Sequence, residues 1–302
     1  DIPALLSVGK KHLYVWEKQE GILHENEAAE ILYRISADIH MHGSDIKEGK
    51  IELIADCDGV LKIRRDALLA VNSLGEMMIA SRHGDFPVKK GDKIAGTRII
   101  PLVIEKSKMD KAEKVAGTKP IFSILPYRSK KVGIITTGSE VQKGLIKDTF
   151  TPVLKEKLDE FSCQILGQTL PGDERSQITS DILSFIDQGA DMVICSGGMS
   201  VDPDDRTPGA IKDTGAEIVT YGAPVLPGAM LLLSYYQNND KIIPILGLPG
   251  CVMYARRTVF DLILPRIMAD DRICADEIAS YGEGGLCLNC DVCTFPNCGF
   301  GK

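Results

Sequence analysis

Three short glycine turns and one run of cysteines are the places in this sequence where side-chain types and spacing could do chemistry. Thr137-Gly138-Ser139-Glu140, Ser196-Gly197-Gly198-Met199-Ser200 and Leu248-Pro249-Gly250 each follow an apolar run. A glycine just past a strand lets backbone N–H groups approach an anion with no Cβ in the way, and a helix start behind it adds a favourable dipole. Asp148, Asp202, Asp204 and Asp205 accompany these turns. Carboxylates repel a bare phosphate. They make sense where a divalent cation such as Mg²⁺ stands between them and the phosphate, or where they accept hydrogen bonds from a polar ring. Singly, a Thr-Gly-Ser or a Pro-Gly is an ordinary turn, and Asp205 ahead of Thr207-Pro208 is an ordinary cap. Three such turns in one stretch of alternating elements raise the expectation of a phosphorylated ligand.

The cysteines are Cys287, Cys290, Cys293 and Cys298, near the end of the chain. Four thiols at this spacing can wrap a tetrahedral Zn²⁺ or an iron–sulfur cluster, with disulfides or a flexible redox tail as the alternatives. Pro296 precedes the last cysteine, which departs from the bacterial ferredoxin run and leaves the metal type open. Residues 282–302 have Leu286, Leu288, Val292, Phe295 and Phe300 as their main apolar side chains, too few for a core, so the tail is expected to order around a metal. Cys57, Cys163, Cys195, Cys251 and Cys274 read as reduced core residues. His24 opens a helix without the second histidine a metalloprotease helix needs. His40 and His42 share a face if extended, but they sit in a polar loop before Gly43.

Something must position the turns. Residues 129–275 alternate strand and helix: strands at 131–137, 163–170, 191–196 and 241–248, helices at 151–161, 173–188 and 208–215, and a long helix from 250 to 270. This predicts an α/β domain with a mostly parallel sheet covered on both faces, where ligands sit beyond the carboxyl ends of the strands. Residues 1–128 read as a mixed, β-rich accessory domain with a small barrel-like part. It has a short helix over 1–9, a helix over 24–36, strands between 51 and 104, and a charged connector over 106–119. Residues 276–302 form the cysteine tail. With 44% apolar residues there is material for a sizeable core. A net charge of −7, no basic stripe and a single Trp argue against nucleic acid as a partner. No run approaches the ~18 apolar residues of a membrane span, and no secretory signal is legible, so the expected compartment is the cytoplasm.

"TTGSEV…GLIKDTF", "SGGMSVDPDDRTP" and "LPGCVMYA" resemble the molybdopterin-binding domain shared by molybdopterin adenylyltransferases and molybdenum insertases. Four motifs in order and at matching distances carry the resemblance over residues 129–270. It implies a three-layer α/β fold, homo-oligomers, and a pterin dithiolene whose terminal phosphate is held by the glycine loops. Thr137, Gly138, Ser139, Ser196, Gly197, Gly198, Ser200, Pro249 and Gly250 are then the cofactor-binding residues. Asp148, Asp205 and Glu140 are the candidate catalytic residues, with Mg²⁺ held by the two aspartates.

The sequence also departs from the family pattern. Ser139 stands where insertases carry Asp, and Cys251 where the family has Asn. The lysine-rich element that helps insertases hold molybdate corresponds to "APVLPGAML" (223–231), where Leu226 and Ala229 take the places of the cations. The resemblance therefore implies molybdopterin binding, or binding of its nucleotide form, in molybdenum cofactor biosynthesis or maturation. Any transferase activity, nucleotidyl- or molybdo-, would work with a degraded molybdate site. A non-catalytic carrier or sensor serving a molybdoenzyme or a cofactor-biosynthesis protein, and a nucleotide-diphosphate hydrolase of the same fold, are the alternatives.

Overall fold

The computed structural model describes residues 19–200 and 205–302. The short helix expected over 1–9 and the aspartates Asp202 and Asp204 lie outside the described residues. Two compact units interleave along the described chain: residues 19–56, 63–82 and 91–123 form one, and 57–62, 83–90, 124–200 and 205–302 the other.

The first unit holds a four-stranded antiparallel sheet in the order Met41–Gly43, Lys50–Ala55, Lys93–Ile99, Met77–Ser81. The helix Glu25–Ser36 buries Ala28, Leu32 and Ile35, the residues at helical spacing. Its start explains His24. The Asn26 N–H donates to His24 Nδ1 at 3.2 Å and the His24 N–H donates to Glu27 Oε2 at 3.0 Å, so the histidine is half of a capping box. His42 pairs with Asp56 through Nδ1 at 2.6 Å. A helix over Arg65–Asn72 interrupts the expected run of strands, and the charged connector is the helix Lys106–Ala116, which buries Met109 and Ala112.

The second unit carries the alternating elements: β1 (Lys131–Thr137), α1 (Ser139–Gln142), α2 (Phe150–Asp159), β2 (Gln164–Gly172), α3 (Arg175–Asp187), β3 (Met192–Ser196), α4 (Thr207–Asp213), β4 (Glu217–Tyr221), β5 (Leu232–Asn238), β6 (Lys241–Leu248), α5 (Val259–Met268) and α6 (Ala275–Ser280). The sheet order is β2-β1-β3-β6-β5-β4. β2, β1, β3 and β6 pair in parallel, and β5 runs against both of its neighbours. Both faces are covered, as a parallel sheet requires. Val132 and Ile134 face Leu154 of α2 and Phe260 and Ile263 of α5. Ile135 and Val193 face Ile178, Ile182 and Phe185 of α3 and Ile211 of α4. Gly133 lets α3 come this close, because a Cβ there would stand 2.4 Å from the Phe185 ring.

The second unit differs from the sequence reading in its β4–β5 hairpin, its long helix and its tail. β4 and β5 were not expected; they extend the sheet through antiparallel pairing that local pattern does not reveal. The long helix over 250–270 is broken. Gly250–Met253 is one 3-10 turn, and α5 starts afresh where Thr258 caps it, with the Phe260 N–H donating to Thr258 Oγ1 at 3.2 Å and the Thr258 N–H to Asp261 Oδ2 at 2.8 Å. The tail does not depend on a core of its own. Phe300 is buried in the core of this unit, and Phe295, Cys287 and Cys298 pack against that core.

Candidate functional site at the carboxyl edge of the sheet

Thr136 of β1 is level with Ser196 of β3, and Ser196 is level with Leu248 of β6. Three adjacent parallel strands therefore end in register, and the turns at 137–140, 196–200 and 249–250 leave one edge of the sheet side by side. The two central turns are locked together by hydroxyls. Thr137 Oγ1 donates to the Ser196 carbonyl at 3.2 Å and lies 3.2 Å from Thr207 Oγ1, and Thr207 Oγ1 donates to the Gly197 carbonyl at 2.8 Å. Thr137, Ser196 and Thr207 are buried. Thr137 and Ser196, expected to touch a ligand, thus spend their hydroxyls inside the protein. What they build is the conformation of Gly197 and Gly198, which have φ of 86° and 55°. A Cβ on Gly197 would stand 2.6 Å from the Thr137 carbonyl oxygen, and one on Gly198 2.9 Å from Thr207 Oγ1. Gly250 differs: a Cβ there would meet nothing within 4 Å, so the fold itself does not demand glycine at this position.

The carboxylates divide in the same way. Asp148 Oδ1 accepts the Phe150 and Thr151 N–H groups at 2.8 and 3.1 Å, and Oδ2 accepts from Gln168 Nε2 at 2.7 Å. Partial burial opposes ionisation of Asp148, but the Thr151 hydroxyl, the Gln168 amide and these N–H groups outweigh it and hold the carboxyl below its ordinary range. Asp148 starts α2 and ties it to β2. Asp173, read in the sequence only as the start of a helix, accepts the Ser139 N–H at 2.9 Å through Oδ2, so one amide of the first turn is already occupied by the protein's own carboxylate. Asp205 is the exception. Its Oδ2 is buried and has no hydrogen-bond partner among the described residues. A buried carboxylate oxygen left unpaired is costly and calls for a ligand. Glu140 and Ser200 are exposed on the same turns.

Tyr221, on the unexpected β4, joins the site. Its hydroxyl lies 3.1 Å from the Met199 carbonyl and 3.2 Å from that of Ser200, and donates to this pair. Burial and the Asp205 charge push the phenol above its ordinary range, so it stays a donor. Only knowledge of the β4–β5 pairing could have pointed to it. At the opposite, amino edge of the sheet a cavity of about 520 Å³ is lined by Arg128, Lys130, Asp191, Lys241, Asp270 and Arg272, among others. Its cations are paired: Lys130 with Asp270, Lys241 with Asp191, and Arg272 with Glu217. None of the sequence-predicted site residues lines it.

Residues 133–269 match the family model described as a probable molybdopterin binding domain. The matched stretch runs from within β1 through α5 and contains all three turns, Asp148 and Asp205. Among curated relatives, the chain is 25% identical over 193 residues to the molybdopterin molybdenumtransferase of Synechococcus elongatus, covering 61% of this chain and 44% of that protein. It is 27% identical over 236 residues to the enzyme of the same name from Haemophilus influenzae, covering 75% and 54%. The chain spans about half the length of these relatives. A CinA-like protein of Mycolicibacterium gilvum is 37% identical over 79 residues, covering 26% of this chain and 19% of that one. Among solved structures, the tungsten cofactor synthesizing protein MoaB of Pyrococcus furiosus aligns at 17% identity with a TM-score of 0.40, over 48% of this chain and 99% of that one. Among the described residues no helix is long and apolar enough to cross a membrane, and no three His, Cys, Asp or Glu side chains are grouped to hold a metal ion. The expected tetrahedral arrangement of Cys287, Cys290, Cys293 and Cys298 around one ion is therefore not present; all four instead line a single cavity.

Proposed function

We propose that the molybdopterin-binding domain holds molybdopterin, or its nucleotide form, at the carboxyl edge of the sheet, and that the protein acts in molybdenum cofactor maturation. The observation that carries this reading is the register of Thr136, Ser196 and Leu248, which sets three glycine turns side by side in a stretch that matches a pterin-binding family model. The backbone N–H groups of Gly197, Gly198 and Gly250 receive the phosphate. Asp205 Oδ2 is the free acceptor, taking an N–H of the pterin ring or a Mg²⁺ bridging to phosphate. Asp148 has each oxygen engaged and positions α2 and β2 rather than the ligand.

One observation favours a carrier over a molybdenum-inserting enzyme. Residues 223–231 have no lysine, and Leu226 is tied to the tail: its N–H donates to the Gly285 carbonyl at 2.8 Å and its carbonyl accepts the Cys287 N–H at 2.8 Å. An oxyanion at this place would lack the charge-assisted donors it needs. The protein in this reading holds the pterin for a molybdoenzyme or another protein of cofactor biosynthesis. The test is anaerobic calorimetric titration of the wild type and Asp205→Ala with molybdopterin. Without ligand the variant should be no less stable than the wild type, because a buried unpaired oxygen is removed, and it should lose at least ~10-fold in affinity, about 1.4 kcal/mol. Equal affinities would remove Asp205 from the site. Absence of binding by the wild type would remove the function.

A further inference from the structure

All four tail cysteines line one cavity of about 240 Å³, whose wall includes Arg256, Arg257, Leu288 and Phe295. All four are free thiols. Their placement around this space, with no three grouped for a single ion, is what decides the chemistry. A tetrahedral zinc site needs its thiolates at about 2.3 Å from one centre. In a four-iron cluster each thiolate binds a different iron, so the sulfurs surround an inorganic core instead of meeting at a point.

The wall suits such a core. A cluster carrying four thiolates is anionic, and two arginines line its cavity. Arg257 is held in place, with Nη1 donating to Asp261 Oδ1 at 2.8 Å and its guanidinium 5.0 Å over the Phe295 ring. Yet its Nε–H is buried and has no acceptor among the described residues. Cluster sulfides and cysteine sulfurs accept hydrogen bonds, and such bonds tune the cluster. Arg256 Nη1 donates to the Asp291 carbonyl at 2.6 Å, fixing the backbone between Cys290 and Cys293. The anchoring of Phe300 in the core and the pairing of Cys287 with Leu226 hold the two ends of the segment without a metal. The cavity is thus preformed on the body of the domain.

We propose that Cys287, Cys290, Cys293 and Cys298 bind a [4Fe–4S] cluster in the cavity walled by Arg256 and Arg257. The cradle hangs on the connections that leave the carboxyl ends of β4 and β6, so it lies toward the same edge of the sheet as the three glycine turns. The inference does not depend on pterin binding.

The test uses the full chain, purified without oxygen, and a synthetic [4Fe–4S] complex with four monothiolate ligands. Transfer is ligand exchange. Each cysteine S–H passes its proton to a departing thiolate and binds that iron, four monothiols leave, and no electron changes hands. After desalting, iron and sulfide are counted and the cluster is typed by Mössbauer spectroscopy. A parallel sample receives Zn²⁺ alone. About four iron and four sulfide per chain are expected. Cys293→Ser and Cys298→Ser should retain less than about a tenth of the iron, and Cys274→Ser, outside the cavity, should retain all of it. The proposal is overturned if the wild type takes up no cluster, if zinc binds at about one per chain and the preformed cluster is not accepted, or if the two tail variants hold iron as well as the wild type. Because uptake by the wild type is decisive by itself, misfolding of a variant does not blunt the test.

Discussion

Gly197 and Gly250 look alike in the sequence, one following β3 and the other β6, but the structure assigns them different duties. At Gly197 the positive φ and the nearby Thr137 carbonyl make any side chain strained. Gly197→Ala should lower stability by about 1–3 kcal/mol, readable as a shift in urea midpoint, and lose ligand as a consequence. At Gly250 there is room for a methyl group. Gly250→Ala should leave the urea midpoint unchanged, within ~0.5 kcal/mol, and still weaken molybdopterin by about tenfold or more, because the Cβ would occupy the ligand's approach to the backbone. Unchanged affinity would place the third turn outside the site. Asp148→Ala should behave like loss of a helix cap, costing about 1–2 kcal/mol, whether or not ligand is present.

The start of α5 is the element on which several parts depend. Asp261 is buried at the third position of that helix, accepts the Thr258 N–H, and pairs with Lys157 of α2 at 2.5 Å and Arg257 at 2.8 Å. Lys157 is itself largely buried, so the pair is worth little as a pair but costly to break. Asp261→Ala leaves two cations unmatched and should cost about 3–5 kcal/mol. Thr258→Ala removes only the cap and should cost about 1 kcal/mol. Thermal unfolding of the two variants should rank them in that order. The reverse order would mean that the cap, not the charge cluster, holds α5 to α2. The β4–β5 hairpin makes a smaller contribution: Tyr221→Phe should loosen the Met199-Ser200 carbonyls and cost affinity with little change in stability.

At the scale of the molecule the electrostatics have a direction. Asp271 is partly buried, which opposes its charge, yet Arg266 and Lys62 hold it ionised below its ordinary value of 3.8. Asp191 is lowered against its burial by Lys241 and the Lys131 N–H, and Glu277 by the Cys274 N–H and Arg266. Groups with depressed folded values stabilise above their unfolded values and lose that contribution as pH falls through the folded ones. The urea midpoint should therefore be flat between about pH 7 and 5 and fall below about pH 4. A midpoint that rises on acidification would contradict these assignments. The tail is the other molecular-scale feature. Phe300→Ala should free residues 282–302 for protease before the α/β unit is cut, because Phe300 is the tail side chain buried in the core.

The strands at 131–137, 191–196 and 241–248 and the glycines behind them were legible because each rests on short-range pattern: apolar runs, turn residues and their spacing. So was the resemblance of the three turns to a pterin-binding domain. Asp205, which reads as a cap, does not cap α4, whose start has no side-chain capping hydrogen bond among the described residues. Tertiary structure decided what could not be local. Whether Thr136, Ser196 and Leu248 end level depends on pairing between strands far apart in sequence, and β4 and β5 exist through that pairing. Which polar groups remain for a ligand depends on which are consumed by the fold. Thr137 and Ser196 read as binding residues and Asp148 as a catalytic one, but all three are spent on neighbours, and Asp205 keeps one oxygen unpaired among the described residues. The four cysteines announce a metal by spacing alone, but whether thiols meet at a point or surround a space is a matter of the cavity that the core, through Phe300, Leu226 and Arg256, holds open. Hydrogen-bond satisfaction and cavity shape are properties of a completed three-dimensional packing, and no window of sequence contains them.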